Sequence, residues 1–540
     1  MKIDLKYCAF LCFVLLQGLS DAEAVVRLPA VIGDHMVIQC NMQDSIWGWA
    51  DADEQVSVYL GRQQKTTRAG ADGRWRIFLD PIQAGGPFEM RIAGKNSITL
   101  HDVLVGEVWV ASGQSNMWWP VRFSANPQNE TAEANYPNIR LFTVKQTVSD
   151  EVLDNVDGEW TAVTPATVPD FSAVAYYFGR EIHQHFRVPV GLMNSSWGAT
   201  PAEAWTSRSA LESNLALQPI LWNWQKVLLA YPYGWERYQK QLADWKNALA
   251  AAKAQGKPAP HRPFPPLGSG HFHTFDPLPD AQNQWTPSGL FNAMIAPLTR
   301  FSIRGVIWYQ GESNAEPYRA LEYRTLFQTL ISDWRHAWNE GPVPFLFVQL
   351  SNFREQTSLG LYAQPNPLES AWAELRESQA AALALPNTGM VVTIDIGDPA
   401  NIHPKNKQEV GRRLSSFART VAYGENVLAA GPIYCGVIAE GDRIRVRFDH
   451  VGGGLVAKAG ALGGFVIAGR DRNFVEADAR IEGNAVLVRS PRVPQPVSVR
   501  YAWADDPEAT LFSREGLPAS PFRTDEWSEP GRTSATAHSH

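Results

Sequence analysis

Three stretches of the chain share one pattern, a short apolar run that ends in a polar turn, and this pattern constrains the fold most. The apolar runs are residues 108–111, 305–309 and 390–394. Four or five consecutive apolar residues bounded by turn signals indicate a buried strand. From about residue 105 to residue 424, such strands alternate with helical patterns, which predicts a parallel sheet with helices on both faces.

The polar turns after these three strands carry reactive side chains. Ser115 follows the first strand, Gln310 the second and His403 the third. Taken alone, Ser115 could simply cap a helix after an ordinary strand. However, the carboxyl ends of parallel strands meet at one edge of a sheet, so we expect the three groups to lie together. A serine, an amide donor and a histidine are the components of a hydrolase that acylates its own serine.

The composition excludes several classes of protein. The chain has 540 residues, of which 45% are hydrophobic and 19% charged, as expected for a globular protein of several domains. Its formal net charge of -7 argues against nucleic acid or an anionic membrane as partner. No Gly-rich loop has phosphate-binding spacing, and no Cys/His cluster has zinc spacing. We therefore expect no metal and no cofactor.

The texture of the sequence predicts the domain boundaries. Residues 25–105 and 425–528 read as short strands between turns and predict two β domains, the first sandwich-like. Between them, residues 106–424 form the α/β catalytic domain, interrupted at about 207–285 by a Pro-rich insertion with a helix at 238–254. That insertion contains His271 and His273, for which a solvent-exposed loop is the preferred interpretation. Residues 529–540 predict a disordered tail.

Residues 1–24 have the features of a secretory signal. Lys2 and Lys6 precede an apolar run at 7–16, and small residues suitable for cleavage end at Ala24. No later segment is apolar enough to span a bilayer, so we expect a soluble periplasmic or extracellular protein. Cys40 and Cys435 remain after cleavage, and the sequence leaves open whether they form a disulfide or two separate buried thiols.

Six motifs carry a resemblance to a known family. They are GEVWVASGQSNM (106–117), WGATPAEAW (197–205), PSGLFNAMIAPL (287–298), GVIWYQGESNA (305–315), ELRESQ (374–379) and IHPKNKQEVGRRL (402–414). In these motifs the chain resembles the sialate O-acetylesterases, a branch of the SGNH (GDSL-like) hydrolases. The resemblance implies a doubly wound parallel sheet with flanking β-sandwich-like domains.

The resemblance also implies roles for individual residues. Ser115 matches the nucleophile and His403 the general base. The N–H groups of Ser115 and Gly198 match the oxyanion hole, with Gln310 as an additional amide donor. Fixed donors at a developing oxyanion are worth roughly 3 kcal/mol each. Residues predicted to surround this centre or to contact substrate are Gln114, Asn116, Glu312, Asn314, Asn292 and Arg376.

The acid partner of the histidine departs from the family pattern. SGNH hydrolases commonly carry Asp three residues before the histidine, where this chain has Ala400. We predict that Asp398 orients His403, whereas Asp395 is more consistent with a structural role at the strand end. A Ser–His dyad, with a backbone carbonyl holding the imidazole, remains open.

Three functions compete at this point. The first is removal of O-acetyl groups from carbohydrates through an acetyl-enzyme intermediate, as in the sialate O-acetylesterases. The second is the same chemistry on a plant cell-wall polysaccharide such as xyloglucan or xylan. The third is non-catalytic carbohydrate binding, which does not explain the three reactive strand ends. An α/β-hydrolase lipase or peptidase is excluded, because Met117 occupies the second glycine position of Gly-x-Ser-x-Gly. The oligomeric state is not predicted.

Overall fold

The computed structural model describes residues 25–263, 283–354, 370–458 and 460–527. The predicted signal (1–24), His271 and His273, and the predicted tail (529–540) lie outside the described residues. Within the described ranges, no helix combines the length and apolar character that crossing a bilayer requires.

Alternating side chains build the N-terminal β region. Its strands are β1 (Val37–Gln39), β2 (Asp44–Trp49), β3 (Gln55–Leu60), β4 (Gln63–Arg68), β5 (Arg74–Leu79), β6 (Gly85–Ala93) and β7 (Ser97–Gly113). In β5, Trp75, Ile77 and Leu79 are buried while the intervening side chains are exposed. Antiparallel pairs join β2 to β5, β3 to β4 and β6, and β6 to β7.

The central region alternates strands and helices, as predicted. Its elements are α1 (Ser115–Trp118), α2 (Pro127–Ala132), β8 (Tyr136–Thr143), β9 (Trp160–Val163), α3 (Ala173–Phe186), β10 (Val190–Ser196), α4 (Arg208–Ser213), α5 (Gln218–Ala254), β11 (Gly305–Tyr309), α6 (Arg319–Trp338), β12 (Phe345–Val348), α7 (Ala371–Ala380), β13 (Thr388–Val391) and α8 (Lys407–Val421). Short 3-10 turns lie at Val121–Phe123, Val168–Asp170, Ala202–Trp205, Ala296–Leu298, Glu312–Asn314 and Ala381–Ala384, and a π-helical turn at Phe291–Ile295.

The central sheet has the order β13-β12-β11-β7-β10-β8-β9. Along this order, neighbouring strands from β13 to β8 are parallel, and the edge strand β9 pairs antiparallel with β8. The predicted fold class is therefore confirmed, with one antiparallel edge strand added.

Strand β7 connects the N-terminal sheet to the central one. Its first part pairs antiparallel with β6, and its second part pairs parallel with β10 and β11. The boundary predicted near residue 105 thus lies inside a continuous 17-residue strand. The hydrophobic pattern changes along β7 because the neighbouring strands change, although the strand itself continues.

Helices cover both faces of the sheet. On β11, the Trp308 ring packs against Phe327 and Trp334 of α6, whereas the Tyr309 ring lies beneath the ammonium of Lys407 at the start of α8. Successive strand residues point to opposite faces. Consequently α6 and α8 lie on opposite sides of the sheet, in the doubly wound arrangement.

The insertion contains a longer helix than the sequence indicated. We predicted a helix at 238–254, but α5 begins at Gln218 and continues through Pro232. The added turns have one aromatic side, where Trp224 and Trp235 pack against the buried Tyr231. Packing of this side outweighs the cost of one proline inside the helix.

The C-terminal region is a second β unit, as its texture indicated. Its strands are β14 (Ile433–Glu440), β15 (Arg443–Asp449), β16 (Leu455–Ala457), β17 (Phe465–Ala468), β18 (Val475–Glu476), β19 (Asp478–Glu482), β20 (Ala485–Arg489), β21 (Ser498–Tyr501), β22 (Leu511–Ser513) and β23 (Phe522–Arg523). Two four-stranded sheets run β14-β15-β20-β19 and β18-β17-β21-β23. Cys40 is buried and Cys435 exposed, and both are free thiols, so the disulfide alternative does not hold.

Candidate active site

The turn after β7 is fixed by close backbone packing. Gly113 has φ +131°, and a Cβ on it would lie 2.2 Å from the Tyr309 carbonyl oxygen, so only glycine fits. The next N–H, that of Gln114, donates to the same carbonyl at 3.0 Å. Ser115 then opens α1, where the first N–H groups of a helix have no intrahelical acceptor. The Ser115 N–H is therefore suited to bind an oxyanion.

The side chain of Gln114 joins two strand ends. Its Oε1 accepts hydrogen bonds from the N–H groups of Gly311 (3.4 Å) and Ser313 (3.2 Å), and the side chain is buried. Gln114 thus holds the turns after β7 and β11 together, which fits its predicted position beside the nucleophile.

Gly198 lies directly beside the nucleophile. An added Cβ on Gly198 would be 3.4 Å from Cβ of Ser115. The turn is anchored to the end of β7, because the Trp197 N–H donates to the Gly113 carbonyl at 3.1 Å. The structure therefore brings the two predicted oxyanion donors, Ser115 and Gly198, into one place.

A buried polar network lies under the nucleophile. Asn116 donates through Nδ2 to Glu312 Oε1 at 2.5 Å and accepts a hydrogen bond from the Lys407 ammonium. All three side chains are buried. Burial raises the pKa of Glu312 and lowers that of Lys407, while the opposite charge of each partner counters its shift. Lys407 was not assigned to the site from the sequence, because a lysine at the start of a helix is normally exposed to solvent.

Two contacts link the His403 loop to the nucleophile turn. Asn116 Nδ2 also donates to the Ile402 carbonyl at 2.9 Å, and the His403 ring stacks on Trp119 with centroids 4.5 Å apart. The main-chain N–H of Trp119 in turn donates to the Ser115 carbonyl at 2.8 Å. Burial, assisted by the Lys407 charge, lowers the pKa of His403 from 6.5 to about 4. The imidazole is therefore neutral near pH 7, the form that can accept a proton.

The predicted acid partner does not reach the imidazole. The Asp398 side chain is exposed and accepts the Ala400 N–H at 3.0 Å within its own loop. Asp395 forms a two-fold ion pair with Arg413, with both N···O distances 2.7 Å, and its predicted structural role fits. Within the described ranges, no carboxylate bonds the His403 ring. The assignment of Asp398 as the orienting acid is therefore corrected, because the loop directs its side chain to solvent.

Gln310 also differs from its predicted role. Its Nε2 donates to the Thr200 carbonyl at 3.1 Å and to Asn314 Oδ1 at 2.7 Å, which uses both amide hydrogens. Tyr323 donates to the remaining oxygen at 2.9 Å. Gln310 has no donor left for an oxyanion and instead fixes the loops around it. Asn314 donates to Glu203 at 3.0 Å and is buried, so it is a structural neighbour of the site rather than a residue that lines a sugar pocket.

Two other predicted substrate contacts have different roles. Asn292 donates to the carbonyls of Ser149 and Asp150, at 3.1 and 3.0 Å, and so holds that loop. Arg376 is fully buried, and within the described ranges it donates to four main-chain carbonyls, those of Leu350, Ser351, Ala504 and Asp505. It joins the central sheet to the C-terminal region. Neither side chain is presented to a sugar, because the donors of both are bonded to main-chain carbonyls.

An aromatic row extends from the histidine to the surface. Trp119 stacks on His403 and lies 5.5 Å from Phe123, which is 45% exposed. Trp118, next along the chain, is 40% exposed. Exposed aromatic faces beside a nucleophile suit a ligand with an apolar ring face, such as a sugar. In the sequence, the signal for this row was the cluster of Trp118, Trp119 and Phe123 within a few residues of Ser115.

A parallel sheet that presents a serine, two backbone donors and a neutral histidine at one edge has the features of a carboxylic ester hydrolase. No group of three or more His, Cys, Asp or Glu side chains among the described residues is arranged to hold a metal ion.

Known proteins identify the family within this class. A family model described as "Carbohydrate esterase, sialic acid-specific acetylesterase" matches residues 280–419. Sialate O-acetylesterase from Rattus norvegicus is 33% identical over 469 residues, covering 78% of this chain and 79% of the relative. The Homo sapiens enzyme is 31% identical, covering 75% and 73%. The crystal structure of a carbohydrate acetylesterase from Xanthomonas citri superposes with a TM-score of 0.77 at 36% identity, covering 93% of this chain and all of that one. The chain belongs to the sialate O-acetylesterase family.

Proposed function

We propose that the protein removes O-acetyl groups from carbohydrates, with Ser115 as nucleophile and His403 as general base. The observation that carries the mechanism is the position of Gly198 against Ser115, 3.4 Å from an added Cβ to Cβ of the serine. This proximity places two backbone N–H groups on one side of the serine, where an oxyanion would form.

The reaction follows from these positions. Ser115 Oγ attacks the acetyl carbonyl while His403 accepts its proton, and the N–H groups of Ser115 and Gly198 bind the resulting oxyanion. The C–O bond to the sugar breaks, and His403 returns the proton to the departing sugar oxygen. Water then attacks the acetyl-enzyme with His403 again as base, which releases acetate and restores Ser115.

The histidine works without a carboxylate partner in this proposal. The stacking of His403 on Trp119 fixes the plane of its ring, and the main-chain bond from His403 N–H to Asn401 Oδ1 (2.9 Å) fixes its loop. These contacts supply the orientation that an aspartate gives in a triad. These contacts support a Ser–His dyad in which the ring stack on Trp119 takes the place of the backbone carbonyl expected from the sequence.

The substrate class follows from the relatives and the aromatic row. The relatives are sialate O-acetylesterases and a carbohydrate acetylesterase, and the exposed Phe123 and Trp118 suit a sugar face. Acetylated sialic acid is one candidate substrate, and an acetylated plant polysaccharide such as xyloglucan or xylan is the other.

Acetate release separates the two candidate substrates. We expect purified protein to release acetate from a small activated acetate ester and from one of the two acetylated carbohydrates, and the Ser115→Ala variant to release none. The preferred carbohydrate is the one with the larger kcat/KM. Absence of any acetate release by the wild type would contradict the proposal.

We further propose that the protein is exported through the signal at residues 1–24. The support is the sequence alone: two lysines, a short apolar run and Ala24 at a small-residue cleavage site. Expression with this segment should yield protein outside the cytoplasm that begins at Val25, as N-terminal sequencing would measure. A cytoplasmic protein that retains the segment would contradict export.

A further inference from the structure

Helix α5 carries a line of exposed apolar side chains. The helix has 37 residues and is therefore roughly 55 Å long. Trp222, Leu229 and Tyr233 are 57%, 77% and 78% exposed. Large apolar side chains in one surface line are costly for an isolated protein and mark a contact surface.

Three charged residues lie on the same line between Trp222 and Lys240, and Asp244 continues this line beyond Lys240. At ~100° per residue, Lys226, Glu236 and Lys240 fall with the three apolar residues inside a sector of about 80°. All three charged side chains are exposed. We call this set of six residues the α5 stripe. The opposite side of the helix is occupied within the chain, because Tyr231 is buried there and packs against Trp224 and Trp235.

The α5 stripe is complementary to itself in the antiparallel direction. Lys226 and Glu236 lie five positions before and after Tyr231, and Leu229 and Tyr233 lie two positions before and after it. Trp222 and Lys240 are likewise nine positions away on either side. An antiparallel copy centred at this level places Lys226 against Glu236, Leu229 against Tyr233, and Trp222 against Lys240.

We infer that the α5 stripe pairs with the α5 stripe of a second copy of this chain in a two-fold symmetric dimer. Each contact then occurs twice, as an isologous interface requires. The pairs are an ion pair, an apolar contact and a lysine over a tryptophan face, and all three are favourable. A parallel pairing would instead place Lys226 against Lys226 and Glu236 against Glu236. The charge pattern therefore selects the antiparallel copy.

The size of the contact sets its strength. A single helix pair lies near the lower limit of about 1,000 Å² for a specific interface. We expect a dissociation constant on the order of micromolar, so that dimer and monomer exchange at ordinary protein concentrations.

Charge reversal within the full-length mature protein tests the register. Sedimentation velocity from about 1 to 100 µM should show the wild type forming dimers. Lys226→Glu and Glu236→Lys should each raise the dissociation constant by about tenfold or more, because each creates two like-charge contacts. An equimolar mixture of the two variants should dimerise again, since both contacts regain opposite charges in the mixed pair, and the double variant should also recover.

A matched control lies on the same helix. Lys246 is exposed on α5 but outside the α5 stripe, so Lys246→Glu makes the same charge change and should leave the dissociation constant unchanged. Unchanged hydrolysis of a small acetate ester in every variant checks folding. The inference is overturned if the wild type stays monomeric at 100 µM. Binding of the α5 stripe to lipid vesicles or polysaccharide by such a monomer would assign the surface to that ligand instead. It is also overturned if the mixture fails to recover dimerisation or if Lys246→Glu weakens it equally.

Discussion

The nucleophile turn and the histidine loop contribute to one reaction but are built in different ways. Around Ser115, the backbone is fixed by Gly113 against Tyr309, and buried side chains of Gln114 and Asn116 bond to neighbouring strand ends. Residues 395–403 are largely exposed or half-buried, and His403 is held by a ring stack and one main-chain bond. The nucleophile side is rigid before substrate binds, whereas the base side depends on few contacts.

This difference shows where each half of the site obtains its precision. Close-packed backbone positions the serine and its oxyanion donors, and such donors act only if they are fixed in advance. Catalytic hydrogen bonds of a base commonly tighten when substrate arrives. The loop of His403 can make that adjustment because no carboxylate among the described residues holds the imidazole.

The largest effect should come from the rigid side. Ser115→Ala should lower kcat/KM by at least about 10³-fold, because it removes the atom that attacks the ester. One oxygen at a half-buried position contributes little packing, so the melting temperature should remain within a few degrees of the wild type. A variant that retains substantial activity would show that another residue is the nucleophile.

The second test compares two residues of the histidine loop. His403→Ala should also reduce kcat/KM by at least about 10³-fold, since no group remains to take the serine proton. Asp398→Asn should reduce it by less than about tenfold, because its side chain is exposed and, among the described residues, bonds the Ala400 N–H rather than the imidazole. Similar losses in both variants would mean that Asp398 reaches His403 in the substrate complex and completes a triad.

A third test removes the residue that links the two regions. Asn116→Ala deletes the bonds to Glu312, Lys407 and the Ile402 carbonyl and should destabilise the protein by roughly 1.5–3 kcal/mol or more, because hydrogen bonds to buried charged groups are lost. Urea unfolding measures the stability. Asn129→Ala, at an exposed position of α2, is a matched control. Equal stabilities of the two variants would contradict a buried network.

The smallest effect concerns the pH dependence. With the pKa of His403 at about 4, kcat/KM should remain high well below pH 6.5 and fall only as the imidazole is protonated near pH 4. Lys407→Met removes a positive charge that disfavours the imidazolium, so the pKa of His403 should rise and the acid limb should move to higher pH. An acid limb of kcat/KM that stays in place, with the variant folded, would rule out an electrostatic role for Lys407.

The chain by itself determined the sheet and the identity of the reacting groups. Short apolar runs followed by polar turns predicted the strands, and their parallel order brought Ser115 and His403 to one edge, because the alternation of strands and helices restricts the topology. The turn at Gly113 could also be predicted from the sequence, since only glycine fits a positive φ against a neighbouring backbone.

Tertiary structure alone decided which polar side chains face the substrate and which satisfy the interior. Gln310, Asn292 and Arg376 carry groups that could bind a sugar or an oxyanion. Their N–H donors are instead bonded to carbonyl groups of the protein. Asp398 lies close to His403 in sequence, yet the local path of the loop turns it outward. Lys407 became part of the site only through its burial beside Asn116. Hydrogen-bond partners are set by three-dimensional packing, and residue type and spacing do not encode which donor each buried group will meet.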